Sequence, residues 1–333
     1  MDAPVADREV LRAWLALSRV AGVGPVTCRS LAEAFGSAGA VFGVSGDALI
    51  QAGCSRRAAA AIRGFSEWAA VDAELDRLDE LGGRLLTWAD PRYPAHLRRI
   101  HDPPPVLYLL GNLPVDGSRV IAVVGSRRAT PYGSAVAARL ATEFSRAGFI
   151  VVSGLARGID AAVHQAVVAA GGCTVGVLGC GVDVTYPPEH RALKAAIRSG
   201  GALLSEVPMG SAPDPHHFPS RNRIISGMSL GVLVVEATAE SGSLITARLG
   251  LEQGREVFAV PGNVGSPTSV GTNRLIKAGA LLVETAQDVI EALAGQLGSG
   301  PATTQPSEAP SSPAPDLTGD EAEVVGLLSW EPA

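Results

Sequence analysis

The apolar positions of the chain follow two different patterns. Residues 8–75 carry apolar side chains at helical spacing, as in Leu11, Trp14 and Leu15, and this predicts helices. From Val120 to about Gly295, short apolar runs alternate with helical stretches. Such runs are typical of strands that are buried on both faces of a parallel sheet. The sequence therefore predicts a small helical domain followed by an α/β domain.

The strands of the second region are short and regularly spaced. Between the first two, the predicted helix at 132–146 has an apolar stripe formed by Val136, Leu140 and Phe144. Right-handed crossovers through such helices produce a doubly wound, mostly parallel sheet with its ligand site at the carboxyl ends of the strands. The strands are predicted at 119–124, 149–153, 174–178, 202–205, 231–236, 256–260 and 280–283.

A glycine-rich turn lies between the first two predicted helices. Its sequence, Val20-Ala-Gly-Val-Gly-Pro25, is followed by a helix. This order resembles a helix-hairpin-helix, in which exposed amides at a helix N-terminus hold a DNA phosphate. An ordinary turn between two helices has the same pattern, so both interpretations stay open.

Composition marks the limits of the domains. Prolines are concentrated between the helical and the α/β regions, and a Pro- and Ser-rich stretch follows the last predicted strand. Beyond it, a capping box of the form T-x-x-E begins another predicted helix. The predicted units are a helical domain at 1–80, a connector at 81–117, an α/β domain at 118–297, an unfolded linker at 298–316 and a last helix at 317–333.

The net charge of −6 comes from the end of the chain. Six of the 33 acidic residues lie in 297–333, which has no Lys or Arg, so the rest of the chain has 27 acidic and 27 basic residues. Binding of a nucleic acid would therefore depend on a local cluster of basic residues rather than on the net charge of the protein. Most of the basic residues are Arg, which suits bidentate contacts to phosphate.

Features at the N-terminus and at the cysteines indicate the cellular compartment. The first residues include Asp2, Asp7 and Glu9 where a signal peptide has a basic start, and no apolar run approaches about 18 residues. The four cysteines have neither the spacing of a zinc site nor that of a disulfide framework. The sequence predicts a cytoplasmic protein with reduced thiols.

Small residues and arginines recur where the predicted strands end. Glycines let backbone amides approach an anion, and an Arg supplies a charged fork, so these loops predict phosphate binding at one edge of the sheet. The candidates are Gly125, Ser126 and Arg127 after the first strand, Gly154 and Arg157 after the second, and Ser241, Gly242 and Ser243 after the fifth. After the fourth strand, Phe218 could stack on a base beside Arg221, Asn222 and Arg223.

The motifs of common nucleotide enzymes are missing from these loops. No G-x-G-x-x-G follows the first strand, and the chain has no Walker A sequence. The stretch 227–231 matches G-x-S-x-G, but it precedes a strand instead of following one, and this favours an ordinary helix end.

Together the loops resemble the DNA-processing protein A family, also called DprA or Smf. The similarity covers most of the chain. It rests on GSR (125–127), GLARGID (154–160), FPSRNRIISG (218–227), VVEA (234–237), SGSLITA (241–247), GREVFAVPG (254–262) and GTNRLIKAGA (271–280). The resemblance implies an extended Rossmann fold, an accessory N-terminal domain of SAM or helix-hairpin-helix type, and a homodimer formed through the Rossmann-like domain. It also implies that the protein binds and protects single-stranded DNA and passes it to a RecA-type recombinase in natural transformation.

The same resemblance assigns roles to particular residues. Arg127, Phe218, Arg221, Asn222 and Arg223 would form the DNA pocket. Gly125, Ser126, Gly154 and Ser243 would add amides or hydroxyls, and Arg157 would either join them or pair with Asp160. No cofactor or metal is implied. Many family members end in a winged helix, of which this sequence shows only the first helix.

An enzyme is the alternative. Similar sheets carry phosphoribohydrolases, which release a base from a nucleoside monophosphate and have a PGGxGTxxE loop where SGSLITA stands here. The final Glu of that loop has no counterpart in this chain. Glu206 and Glu236 remain as substitutes at strand ends, or they brace neighbouring loops. The sequence therefore favours a non-catalytic DNA-binding protein.

Overall fold

The N-terminal part of the chain is helical, as its apolar spacing predicts. The computed structural model describes residues 7–114 and 119–296; the predicted linker at 298–316 and the predicted helix at 317–333 lie outside them. Serines at 37, 45 and 55 cap three of the helices by accepting a hydrogen bond from the third following amide. The helices are α1 (Arg8–Arg19), α2 (Pro25–Ala34), α3 (Ala38–Val41), α4 (Gly46–Gln51), α5 (Arg56–Arg63) and α6 (Trp68–Glu80).

The nine strands of the described residues form one sheet in the order β1-β2-β6-β5-β4-β3-β7-β8-β9. Strands β3 to β9 pair in parallel, as predicted. Strand β2 is antiparallel to both of its neighbours, β1 and β6. The strands are β1 (Arg84–Thr87), β2 (Val106–Gly111), β3 (Val120–Val124), β4 (Ile150–Ser153), β5 (Thr174–Leu178), β6 (Ala202–Ser205), β7 (Gly231–Val234), β8 (Glu256–Ala259) and β9 (Leu281–Leu282).

Helices cover both faces of this sheet. Alternate residues of β3 show the two layers: Ile121 and Val123 pack into one apolar core, and Ala122 and Val124 into the other. The helices are α7 (Ala95–Arg98), α8 (Pro131–Arg146), α9 (Ile159–Ala169), α10 (Arg191–Gly200), α11 (His217–Met228), α12 (Ser243–Glu252), α13 (Val270–Lys277) and α14 (Ala286–Ala292), with short 3-10 helices at Pro188–His190, Pro267–Ser269 and Ala294–Gln296.

The stretch 81–117, for which the sequence predicts a connector, contains β1 and β2, and the prediction is corrected in this respect. Residues Val106–Leu110 are buried and apolar, like the other strands, but they directly follow three prolines. Their hydrogen-bond partner is β6, about a hundred residues later in the chain. Local composition therefore suggests a loop, whereas long-range pairing makes a strand.

A group of partly buried polar contacts connects the helical region to the sheet. Glu74 on α6 forms a salt bridge with Arg19 and accepts hydrogen bonds from the Tyr108 hydroxyl at 2.7 Å and from the Met209 amide at 2.8 Å. Arg77, also on α6, pairs with Asp183 at 2.5 Å. Met209 and Asp183 lie in the loops after β6 and β5. The helical region is thus held against the carboxyl ends of these two strands.

Among the helices that the structure describes, none combines the length and apolar character needed to cross a bilayer.

Candidate nucleic-acid interface

A cleft of about 780 Å³ opens where the chain reverses its direction of winding, at the carboxyl ends of β3, β4 and β7. Ligands of open α/β sheets bind at this switch point. The predicted residues that line the cleft are Gly125, Ser126, Arg127, Phe218, Arg221, Asn222, Ser241, Gly242 and Ser243. Nine of the twelve candidates, from three separate stretches of sequence, therefore meet at one place.

A smaller cavity of about 210 Å³ adjoins the cleft on the side of β5. Gly154 and Arg157 line it, and Arg127, Phe218 and Tyr186 border both spaces. Its walls include Leu155, Leu178 and Cys180 and are largely apolar. The predicted site therefore consists of a wide polar cleft and a small apolar cavity, with Phe218 and Tyr186 at the border between them.

The loop after β3 presents two exposed arginines to the cleft. Its backbone is anchored because the Ser126 amide donates to the Glu236 carbonyl at 2.8 Å, and the Arg128 amide donates to Ser126 Oγ at 3.1 Å. Gly125 is required here, since a Cβ would lie 2.6 Å from Ile159 Cγ1. Within the described part of the chain, neither Arg127 nor Arg128 forms a salt bridge. Both charges are available to an anion.

Arg127 lies over an aromatic ring. Its guanidinium carbon is 4.9 Å from the centroid of Phe218, and Phe218 contacts Tyr186 at 5.8 Å between ring centroids. A cation over an aromatic face is attracted to it, which positions the Arg127 side chain without neutralising its charge. The arrangement offers a charged donor for phosphate next to two flat apolar surfaces.

Helical periodicity determines which residues of the FPSRNR segment reach the cleft. The segment is the start of α11, and Phe218, Arg221, Asn222 and Ile225 follow the i, i+3, i+4, i+7 spacing of one helix face. Arg223 lies on another face and does not line the cleft. It is 7% exposed and forms salt bridges with Glu206 at 2.5 Å and Asp102 at 3.3 Å. The prediction that Arg223 belongs to the pocket is therefore corrected.

Arg221 is part of the floor of the cleft. It is 5% exposed and donates to the carbonyl oxygens of Gly154, at 2.6 Å, and Val177. Burial lowers the pKa of Arg221 to about 10 although the nearby Asp160 charge opposes this shift. Burial likewise raises the pKa of Asp160 against the effect of Arg221. Desolvation dominates the pKa of both groups, and Arg221, which is held by two backbone carbonyl oxygens, is a structural element of the cleft floor.

Asp160 holds the glycine loop after β4. Its carboxylate accepts hydrogen bonds from the amides of Gly154 at 3.1 Å and Ala156 at 3.3 Å. The loop includes Leu155 at φ 53° and Gly158 at φ 75°, and a Cβ at Gly158 would collide with the Ser126 carbonyl. Arg157 does not pair with Asp160, contrary to one alternative from the sequence. It is exposed and pairs with Glu189 at 2.5 Å.

Glu206 and Glu236, the two carboxylates that remain as catalytic substitutes in the sequence, both have structural partners. Glu236 accepts hydrogen bonds from the amide and the hydroxyl of Thr130, at 2.9 and 2.6 Å, at the start of α8. Glu206 is paired with Arg223, and burial raises its pKa. The interpretation that they brace loops and arginines agrees with these contacts.

Sequence reasoning missed Tyr186, Thr238 and Thr268, which also line the cleft. Tyr186 had a usable signal, since it is an aromatic residue after a strand in a chain with only 5% aromatic residues. Among the described residues, no group of three or more His, Cys, Asp or Glu side chains is arranged to hold a metal ion.

A row of buried polar side chains lies below the loop after β4. His164 Nδ1 is 2.7 Å from Thr174 Oγ1, which donates to the Val151 carbonyl, and Nδ1 of His190 is 3.1 Å from the Leu155 carbonyl. Burial lowers the pKa of His164 to about 3, and the charges of His190 and Arg221 act in the same direction. His164 is therefore neutral in the folded protein at ordinary pH.

Comparison with known proteins points to one family. Residues 84–294 match the family model described as DNA recombination-mediator protein A, and residues 8–64 match the DprA-like N-terminal HHH domain. The second match favours the helix-hairpin-helix interpretation of the turn at 20–25.

Individual relatives agree with the family models. Protein Smf of Escherichia coli (strain K12) is 43% identical over 224 residues, which are 67% of this chain and 60% of that protein. The structure of DNA processing protein A from Streptococcus pneumoniae is similar at a TM-score of 0.74 and 33% identity, covering 86% of this chain and 98% of that one. A Helicobacter pylori structure, reported for the single-stranded DNA binding mode of its DNA processing protein A, has a TM-score of 0.57 and 28% identity over 64% of this chain and 96% of that one.

Replacement of Arg221 should lower the stability of the fold more than replacement of an exposed arginine. We expect Arg221→Ala to lower the free energy of unfolding by about 3 to 5 kcal/mol, because it removes the hydrogen bonds to the Gly154 and Val177 carbonyls and the positive charge near the buried Asp160 carboxylate. Arg127→Ala, at an exposed position, should change it by no more than about 0.5 kcal/mol. Urea unfolding followed by circular dichroism measures both values. Equal stability of the two variants would contradict the structural role of Arg221.

His164 should make the protein less stable in mild acid. Its pKa is about 3 when folded and about 6.5 when unfolded, so below pH 6.5 the unfolded chain gains a proton that the native state does not. The stabilisation is complete above about pH 6.5 and is lost as the pH falls toward 3. At pH 5 the loss of stability is about 2 kcal/mol.

The measurement compares the unfolding free energy of the wild type with that of His164→Gln at about pH 7.5 and pH 5. Because other groups titrate equally in both proteins, the wild type should lose about 2 kcal/mol more than the variant. Parallel pH profiles would rule out a neutral buried His164.

Proposed function

Because the chain belongs to the DprA/Smf family of DNA-processing proteins, we propose that it binds single-stranded DNA without sequence preference, in the cleft at the carboxyl edge of the sheet. The observation that carries this proposal is the exposed, unpaired Arg127 over Phe218, at the junction of the cleft and the apolar cavity. A cation for the backbone and a ring for a base are the two parts of a single-strand site.

In the proposed mode of binding, the polar wall of the cleft follows the DNA backbone. Arg127 and Arg128 contact phosphates, and the hydroxyls of Ser241 and Ser243, 2.8 Å apart at the start of α12, add neutral hydrogen bonds. Phe218 and Tyr186 offer their faces to an unpaired base. Bases in a duplex are stacked on each other and cannot use these faces, so single strands are preferred.

Local charge accounts for binding by a protein of net charge −6. The two arginines of the β3 loop have no salt-bridge partner in the described part of the chain, whereas Arg157 and Arg223 are paired with carboxylates. A polyanion is therefore attracted to one rim of the cleft and not to the molecule as a whole. The interaction should depend strongly on salt.

We propose that the site is not catalytic and needs no cofactor. Three carboxylates lie in or near the cleft, and each is already engaged: Asp160 by two backbone amides, Glu236 by Thr130, and Glu206 by Arg223. A base or nucleophile for hydrolysis of a nucleotide would have to give up these contacts. This arrangement supports binding over the phosphoribohydrolase alternative.

The wider role follows from the family. We propose that the protein acts in the cytoplasm, protects incoming single-stranded DNA in natural transformation and delivers it to a RecA-type recombinase. The description of the matched model as a recombination mediator supports this role. We also propose a homodimer formed through the Rossmann-like domain. Strand β9 is the edge of the sheet and exposes Leu281 and Leu282, at 45% and 48%, which fits contact with a second copy.

Arg127→Ala should weaken single-strand binding about tenfold, the effect of losing one charged hydrogen bond. Fluorescence anisotropy of a labelled oligonucleotide, titrated at about 50 to 200 mM salt, gives the affinity and its salt dependence. The slope of log affinity against log salt should fall by about 0.7 for one lost phosphate contact. The matched control is Arg139→Ala, an exposed arginine on α8 that pairs with Glu143. Unchanged binding by Arg127→Ala would remove the β3 loop from the DNA site.

A charge at the sheet edge should separate the dimer. We expect light scattering coupled to size-exclusion chromatography to give twice the chain mass for the wild type and the single mass for Leu282→Lys, because an edge lysine opposes strand pairing and apolar contact. Leu251→Lys, at an exposed leucine of α12, serves as the control and should remain dimeric. A monomeric wild type, or a dimeric Leu282→Lys, would argue against this surface.

A further inference from the structure

Tyr132 is an exposed aromatic residue that the cleft does not include. Its exposed fraction is 63%, and the other Phe, Trp and Tyr residues within 7–114 and 119–296 are buried or half-buried. Neither its ring nor its hydroxyl has a partner in the part of the chain that the structure describes. It is the second residue of α8, the helix that directly follows the arginine-bearing loop after β3.

The backbone around Tyr132 is fixed to the rim of the cleft. Thr130 donates its amide and hydroxyl to the Glu236 carboxylate, and Gly133 lies so close to that carboxylate that a Cβ would collide with it. Glu236 lies two residues beyond the end of β7, and Thr238, two residues further on, lines the cleft. Neighbouring residues of a helix point in different directions, and Tyr132, next to Gly133, is exposed. Tyr132 is thus presented to solvent beside the cleft.

The charges around the cleft favour one direction for a strand that leaves it. On the side of β5 and β6 the arginines that reach the loops are neutralised, since Arg77 pairs with Asp183 and Arg157 pairs with Glu189. On the opposite side, the loop 260–269 after β8 has no charged residue, and the unpaired Arg128 stands before Tyr132. A phosphate backbone therefore meets an unpaired arginine on the second side, whereas the loop arginines of the first side are already paired.

We infer that Tyr132 is a second stacking site for the same single strand, and that the DNA leaves the cleft past Arg128 so that a base outside the cleft rests on the Tyr132 ring. This inference rests on the proposed single-strand binding. It adds the direction in which the strand leaves the cleft and a longer bound segment of DNA. Stacking on an aromatic face tolerates every base, so the extended track has no sequence preference.

The test uses a series of oligothymidylates of increasing length and the Tyr132→Ala variant of the full chain. Short oligonucleotides, which fill only the cleft, should bind the variant and the wild type equally. Longer ones, which reach Tyr132, should bind the variant about tenfold more weakly, the loss expected from one stacked base. Tyr132→Phe should restore wild-type binding at every length, and Leu251→Ala, at another exposed apolar position, should have no effect.

Salt and fluorescence distinguish stacking from other causes. Tyr132→Ala should leave the salt slope unchanged because no phosphate contact is lost, unlike Arg127→Ala. A 2-aminopurine moved along the strand should show one position whose fluorescence is changed by the wild type and not by Tyr132→Ala. Equal binding of all lengths to both proteins, equal weakening at all lengths, or a changed oligomeric state of Tyr132→Ala would each overturn the inference. Failure of the wild type to bind any oligonucleotide would instead overturn the proposed function.

Discussion

The guanidinium group of Arg221 is buried between the ends of β4 and β5, where it donates to the carbonyl oxygens of Gly154 and Val177. Asp160 stands beside it and accepts the amides of Gly154 and Ala156. This pair determines the path of the loop after β4, including Leu155 in the left-handed region. Because burial is unfavourable for both charges, removal of either group leaves the other buried without the opposite charge that partly offsets its desolvation. The floor of the cleft depends on this arrangement.

Glu236 performs a similar task on the other wall. Its carbonyl accepts the Ser126 amide and its carboxylate holds Thr130, so the loop between β3 and α8 is fixed at both ends. The arginines between these two anchors are left exposed and unpaired within the described residues. The site therefore separates two roles: buried charges set the shape of the loops, and exposed charges remain available to a ligand. This separation explains how a protein of net charge −6 offers a local site for an anion.

Residue type alone does not identify which arginine has which role. Arg127, Arg157, Arg221 and Arg223 all follow strands in sequence, and all are expected at the DNA pocket. In the folded chain the first is exposed over Phe218, the second pairs with Glu189, and the other two are buried. The difference arises from helical periodicity in α11 and from carboxylates that come from distant parts of the chain. Substitution of these residues as a group would consequently mix effects on folding with effects on binding.

The sequence by itself determined the alternation of short apolar strands with amphipathic helices, and hence the parallel sheet, its helical N-terminal region and the edge at which the glycine and arginine loops meet. These features depend on local periodicity, which a single chain carries in full. Only the tertiary structure decided that β2 pairs with β6, that Arg221 and Arg223 are buried, and that Tyr186 lines the cleft. Each of these outcomes depends on contacts between residues far apart in the chain, and such contacts leave no periodic signal in the sequence.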